Sequence, residues 1–362
     1  MKQLLGLLLF IFLAACSSAP VANPPGISVV IVPDTPTPTV APLPTPTKTM
    51  EQALYPYTIA GLRKHKFQSG KITIRETLLE TEIFTRYLIE YPSDGLTITG
   101  ILQVPISGEP PYPVIVMNHG FFSRTIYSSG DGTDRAAEFL NRHGYLTVSS
   151  DYRTWANADT GVSLYYSGLA IDVINLMNAL PSFPQADPQR IGMWGHSMGG
   201  GVTLKILAVD KRIKAAVLYS SVSADFTDII ERWGPGCQGD VLEGELAYGC
   251  NSSDVLPLTL PDDLTTAYFN SVTDPDMLEA VSPLYHFESV TAPVQIAYGT
   301  EDGKTSAGTP PEWSKKMYEG FVEAGKEAQL FAHTGEEHSF KTDQWFAFME
   351  RSAQFFDKYV KP

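Results

Sequence analysis

The sequence predicts an α/β fold, a mostly parallel central sheet covered by helices on both faces. Three observations carry that expectation. Short apolar, β-branched runs alternate with helical patterns from about residue 83 onward. At Ile191 to Gly201 (IGMWGHSMGGG) an apolar run passes through Gly195-His196-Ser197-Met198-Gly199 into small residues that open a helical pattern. Further along, two more strand-like runs end in loops bearing an acid (Gly299-Thr300-Glu301-Asp302) and a histidine (Gly335-Glu336-Glu337-His338-Ser339-Phe340). Reactive groups of such sheets gather at the carboxyl ends of the strands.

The elements follow in order. Ile83 to Glu90 and Leu96 to Val104 are β-rich runs, with Tyr91-Pro92-Ser93-Asp94-Gly95 as the turn between them. Val114 to Met117 is a short buried-type strand ending at Asn118-His119-Gly120. Asp134 to Arg142 has a helical pattern that stops at His143-Gly144, and Tyr145 to Ser150 is the next strand. Ala170 to Leu180 is helical until Pro181 ends it. Ile191 to Trp194, the helix Gly200 to Val209 and the strand Ala215 to Ser220 surround Ser197. The strand Ala292 to Tyr298, a helix near Glu312 to Ala324, the strand Ala328 to Ala332 and an amphipathic helix around Trp345 to Tyr359 complete the alternation. Between Val222 and His286 the pattern breaks, in a stretch that mixes acidic residues with Trp233, Tyr248 and Tyr268. An insertion there, after the strand that follows the Ser197 helix, reads as a cap over a pocket.

The chemistry explains the spacing. A serine hydroxyl is a poor nucleophile, so it must be held exposed beside a base on a tight strand-to-helix turn. Gly195 and Gly199 flank Ser197 because a Cβ would collide where strand and helix cross. The base needs an acid to fix its tautomer, and in α/β-hydrolases, whose strand-turn-helix the stretch around Ser197 resembles, the chain order is Ser, Asp or Glu, His. That order nominates Ser197, Asp302 and His338. Glu301 is the nearest rival acid and Asp225 a distant one, while His333 reads as structural. Backbone N–H groups must also face the carbonyl oxygen as it gains charge. They are expected from Met198, after the nucleophile, and from Phe121, in the loop after Val114 to Met117. Phe122, Tyr152 and Trp155 are candidates for an apolar acyl pocket, or for core.

These motifs, GHSMGG, the GTED loop and GEEHSF, resemble the catalytic domain of the prolyl oligopeptidase and dienelactone hydrolase branches of the α/β-hydrolase superfamily. Ser282-Pro283-Leu284 before the Asp-bearing strand fits the same branch, and the resemblance runs over roughly residues 87–360. It implies the α/β-hydrolase fold, with Ser197, Asp302 and His338 as nucleophile, acid and base. Prolyl oligopeptidases carry a β-propeller of hundreds of residues, whereas only a few dozen ordered residues are expected before the hydrolase domain here. Carboxylic-ester hydrolysis is therefore the expected activity. The alternatives are a serine peptidase lacking the propeller and a non-catalytic binding lipoprotein.

The amino terminus speaks to location. Met1 to Cys16 holds one positive charge, Lys2, then an apolar stretch from Leu4 to Ala15 that is too short to span a bilayer. It reads as a signal peptide over 1–15, and Leu13-Ala14-Ala15-Cys16 resembles the lipobox of bacterial lipoproteins. Cys16 would then carry lipid. Residues 16–49 are rich in Pro and Thr and should form an extended tether, leaving 50–362 as the hydrolase domain with a cap at about 222–286. Setting Cys16 aside leaves Cys237 and Cys250, either disulfide-bonded in an oxidising compartment or two buried thiols. No CxxC pattern or His/Cys cluster calls for a metal, and no cofactor is implied. A formal charge of −14 argues against nucleic acid as a partner. The expected partners are an ester or short-peptide substrate and a membrane reached through the lipid.

Overall fold

A computed structural model describes residues 48–239, 249–341 and 343–362. The signal peptide, Cys16, nearly all of the tether, and residues 240–248 of the insertion lie outside the described residues. Thr47 to Pro362 form one compact unit.

Among the described residues nine strands make one sheet. They are β1 (Thr73–Glu80), β2 (Phe84–Ser93), β3 (Leu96–Pro105), β4 (Tyr112–Asn118), β5 (Leu146–Ser150), β6 (Ala186–His196), β7 (Ile213–Tyr219), β10 (Val294–Gly299) and β11 (Ala328–His333). Their order is β1-β2-β3-β5-β4-β6-β7-β10-β11. From β5 to β11 every neighbour is parallel, and β1 to β3 form an antiparallel flank that joins at β5. The parallel strands are apolar because helices cover both sides; β4, β5 and β10 are buried along their whole length.

Two cores result. One side buries α4 (Ser167–Ala179) and α5 (Met198–Val209), both nearly all buried and hence apolar around most of their circumference. The other side packs α3 (Asp134–Arg142) and the terminal α10 (Asp343–Tyr359), with its buried Phe348, over Ile115, Trp194 and Val217. α9 (Pro311–Glu323) joins β10 to β11 and packs on both.

The hairpin differs from the sequence expectation. β2 runs on to Ser93, and the turn is Asp94-Gly95 alone, with both residues at positive φ. Ser93 is buried because its hydroxyl donates to Asp172, itself held by Arg153. A polar residue that reads as turn is therefore a satisfied interior group. The strand β1 and the helices α1 (Met50–Leu54) and α2 (Ile59–Lys64) were not anticipated either.

Between β7 and β10 lie α6 (Phe226–Trp233), the short parallel pair β8 (Gly236–Gln238) and β9 (Asn251–Leu256), α7 (Asp262–Ser271) and α8 (Pro275–Val281). Cys237 and Cys250 are disulfide-bonded here, with a Cα–Cα distance of 5.1 Å.

Candidate active site

Ser197 sits between β6 and α5 at φ +54°, ψ −122°, a conformation that side-chain-bearing residues rarely adopt. The surroundings enforce it. Its N–H donates to Tyr219 O at 3.0 Å, and its carbonyl accepts from Val222 N at 3.1 Å, so β7 and the residues after it grip the turn. No side chain fits beside it. A Cβ on Gly199 would lie 2.0 Å from Asn118 O, and one on Gly195 2.4 Å from Gly199 O. The turn thus presses against the end of β4, and Gly120 packs directly on the Ser197 Cβ.

His338 and Asp302 reach the same point from the ends of β11 and β10. Ser197 Oγ lies 2.9 Å from His338 Nε2, and His338 Nδ1 lies 3.0 Å from Asp302 Oδ2. The carboxylate accepts from Nδ1–H, which leaves Nε2 as the acceptor for the serine proton. Burial pushes the Asp302 carboxyl up, but bonds from His338, Thr309 and the Gly303 N–H outweigh it and hold it below its usual range. Asp302 therefore stays ionised. Thr309 donates to Asp302 through its N–H (2.9 Å) and approaches Oδ2 with its hydroxyl (2.8 Å). Glu301 pairs instead with Lys304, and Asp225 caps α6 and binds Lys316 at 2.8 Å. His333 is buried against Phe340.

The loop after β4 brings Gly120 to the serine, with Phe121 next in the chain. Among the described residues the Phe121 N–H has no acceptor, and the Met198 N–H opens α5, where no helical carbonyl reaches it. Behind the loop, His119 lies between Tyr127 and Tyr152, with ring centroids at 4.5 and 4.3 Å. Tyr152 and Trp155 are fully buried there, so they are core that shapes the loop rather than a pocket wall. Trp155 Nε1–H donates to Phe122 O at 2.9 Å. A cleft of about 240 Å³ opens beside His338, lined by Glu301, Lys304, Glu337 and Lys341.

Two contacts of this site escape sequence reasoning. His196, read as the variable residue of the GxSxG turn, approaches His338 O with Nε2 at 3.1 Å and stacks on Tyr219. A carbonyl only accepts, so Nε2 carries the proton. Thr309 is the other, and no spacing signal distinguishes it.

Burial holds His196 down at about 3, with the neighbouring His338 adding to the effect, and its pH consequence has a definite sign. An unfolded histidine takes up its proton near 6.5. Between pH 6.5 and about 3 the unfolded chain therefore binds the extra proton, and this residue costs stability as pH falls. His196→Gln is expected to remove about 1.4 kcal/mol per pH unit of that loss. Urea unfolding of both proteins at pH 6 and pH 4 reads it directly; identical pH slopes would contradict it.

The fold is that of the α/β-hydrolases, and within it Ser197, His338 and Asp302 stand as a connected Ser-His-Asp arrangement. Comparison with known proteins finds likenesses of sequence over parts of the chain and of fold over most of it. The family profile described as acetyl xylan esterase (AXE1) matches residues 156–233, which include the Ser197 turn. An uncharacterized 31.7 kDa protein of Escherichia coli, from the traX-finO intergenic region, is 30% identical over 127 residues, 34% of this chain and 42% of that protein. The chain thus spans less than half of that relative's length. Acetyl xylan esterase 1 from Thermoanaerobacterium sp. JW/SL YS485 superposes with a TM-score of 0.55 at 18% identity, covering 85% of this chain and 93% of that one. A puromycin-hydrolyzing peptidase of Mycobacterium tuberculosis gives 0.58 at 19%, covering 78% and 41%. At these identities the structural likeness is one of fold.

Proposed function

We propose that the chain is an exported carboxylic-ester hydrolase that works through an acyl-enzyme on Ser197. The observation that carries this reading is the 2.9 Å approach of His338 Nε2 to Ser197 Oγ, with Asp302 behind the ring. His338 takes the serine proton as Oγ attacks the ester carbonyl. The Met198 and Phe121 N–H groups receive the oxyanion, a donor being worth about 3 kcal/mol in such sites. The imidazolium then protonates the departing alkoxide, and water repeats the cycle to release the acid.

The family-profile match to acetyl xylan esterase and the near-complete coverage of one such esterase support ester over amide bonds. A serine peptidase is the second reading, favoured by the likeness to the puromycin-hydrolyzing enzyme. Comparing kcat/KM for p-nitrophenyl acetate, longer esters and proline-containing peptide amides separates the two. Ester turnover is expected to exceed amide turnover by at least about 100-fold; comparable rates would reverse the ranking.

The reading extends to location and layout. Residues 1–15 serve as signal peptide, Cys16 takes lipid, 16–49 tether the domain, and the insertion at 222–286 caps the site. Among the described residues no helix is long and apolar enough to cross a membrane. Cys16→Ala is expected to move the protein from the membrane to the soluble fraction, read by fractionation and immunoblot. Retention in the membrane fraction would contradict lipidation.

A further inference from the structure

The carboxyl end of α6 leans on the loop that carries Asp302. Arg232 donates through Nε to Gly308 O at 3.1 Å and through Nη2 to Gly303 O at 3.1 Å and Thr305 O at 2.7 Å. Its neighbour Trp233 donates through Nε1 to Ser306 O at 2.6 Å. Two consecutive side chains of the insertion thus take four carbonyls of one six-residue loop.

One of those carbonyls matters most. Gly308 C=O and Thr309 N–H belong to the same planar peptide unit and point in opposite directions. Arg232 grips the oxygen, and the hydrogen points at Asp302 Oδ1, 2.9 Å from Thr309 N. A charged donor on the carbonyl also polarises the amide, strengthening the bond its N–H makes. The second backbone bond to Oδ1, from Gly303 N at 2.7 Å, lies at the other end of the loop that Arg232 holds.

Arg232 is itself fixed. It lies near the rings of Trp233 and Trp313, and Gly234 at φ +80° then turns the chain toward Cys237. The Cys237–Cys250 bridge ties that segment to β9, whose Ser252 O accepts from Arg124 of the loop after β4 at 2.8 Å. The insertion therefore spans from the acid loop to the loop bearing Phe121.

We infer that Arg232 is a positioning residue, acting through the Gly308–Thr309 peptide to aim the Asp302 carboxylate at His338. It touches no reacting atom, so its effect should appear in kcat and vanish when Asp302 is no longer an acid.

The inference rests on Ser197 being the activated nucleophile. It is tested on the full chain by ester turnover and by the rate at which a fluorophosphonate labels Ser197, followed by mass spectrometry. Arg232→Ala is expected to lower kcat and the labelling rate by about 10- to 100-fold with KM within about twofold, and Arg232→Lys to recover part of both. In an Asp302→Asn background the same Arg232→Ala change should cost less than about twofold. Undiminished rates in Arg232→Ala, or a full-sized loss in the Asp302→Asn background, would overturn it. Should Arg232→Ala fail to fold, Arg232→Lys and Trp233→Phe carry the same cycle. Labelling of the wild type without ester turnover would sink the ester reading and still leave this comparison decisive.

Discussion

Ser197→Ala is expected to lower kcat for p-nitrophenyl acetate by about 10⁶-fold, roughly 8 kcal/mol of transition-state stabilisation. The hydroxyl is the atom that attacks, and the only comparable alternative is water held near the Met198 and Phe121 N–H groups. That residual arrangement still outpaces solution hydrolysis by about 10³-fold or more, which keeps the variant measurable. Stability should hardly change. The substitution leaves the backbone at the same positive φ, held by the same bonds to Tyr219 O and from Val222 N, and removes one hydroxyl whose partner His338 keeps access to water. A melting temperature within about 2 °C of the parent is expected. Turnover above about one per cent of the parent rate would remove Ser197 from the mechanism.

Asp302→Asn is expected to cost about 10⁴-fold in kcat, because the defect is one of tautomer rather than geometry. Asp302 now only accepts, from Nδ1–H, from Thr309 and from Gly303 N. An asparagine amide placed against the ring can donate to Nδ1 instead. The imidazole proton then moves to Nε2, where it faces the serine proton that Nε2 must accept. Substrate binding does not involve this carboxyl, so KM should stay within about threefold while kcat falls. Paired kcat and KM measurements decide it, and a kcat within tenfold of the parent would assign the acid elsewhere.

What the sequence discloses divides by physical cause. Strands β4, β7 and β10 and the Ile191–Gly195 half of β6 are buried almost throughout, so they must be apolar runs, and such runs are visible. The positions of Asp302 and His338 follow from chain order and strand ends, which is why a one-dimensional pattern nominates groups that meet 2.9 to 3.2 Å apart in space. Other features have no one-dimensional trace. Strand β1 is exposed at every residue and shows no clean alternation. Ser93 lies in a polar run beside a Gly, and only the distant Asp172 makes it interior. His196 and Arg232 act through backbone carbonyls of distant segments, and Thr309 reaches Asp302 only because the loop between them folds back on itself, contacts that depend on the fold.

The same β1 has a bearing on how the protein lives beside copies of itself. Last strand of its sheet among the described residues, it carries Ile74, Leu78 and Leu79 at 43 to 44% exposure beside a row of backbone groups that no further described strand receives. Left flat, such a border recruits another chain. Here the pairing with β2 slips twice, between Ile74 and Glu76 and again between Thr77 and Leu79, while Arg75, Glu76 and Glu80 intersperse both signs of charge. The irregular rim gives an incoming ribbon no constant register to follow.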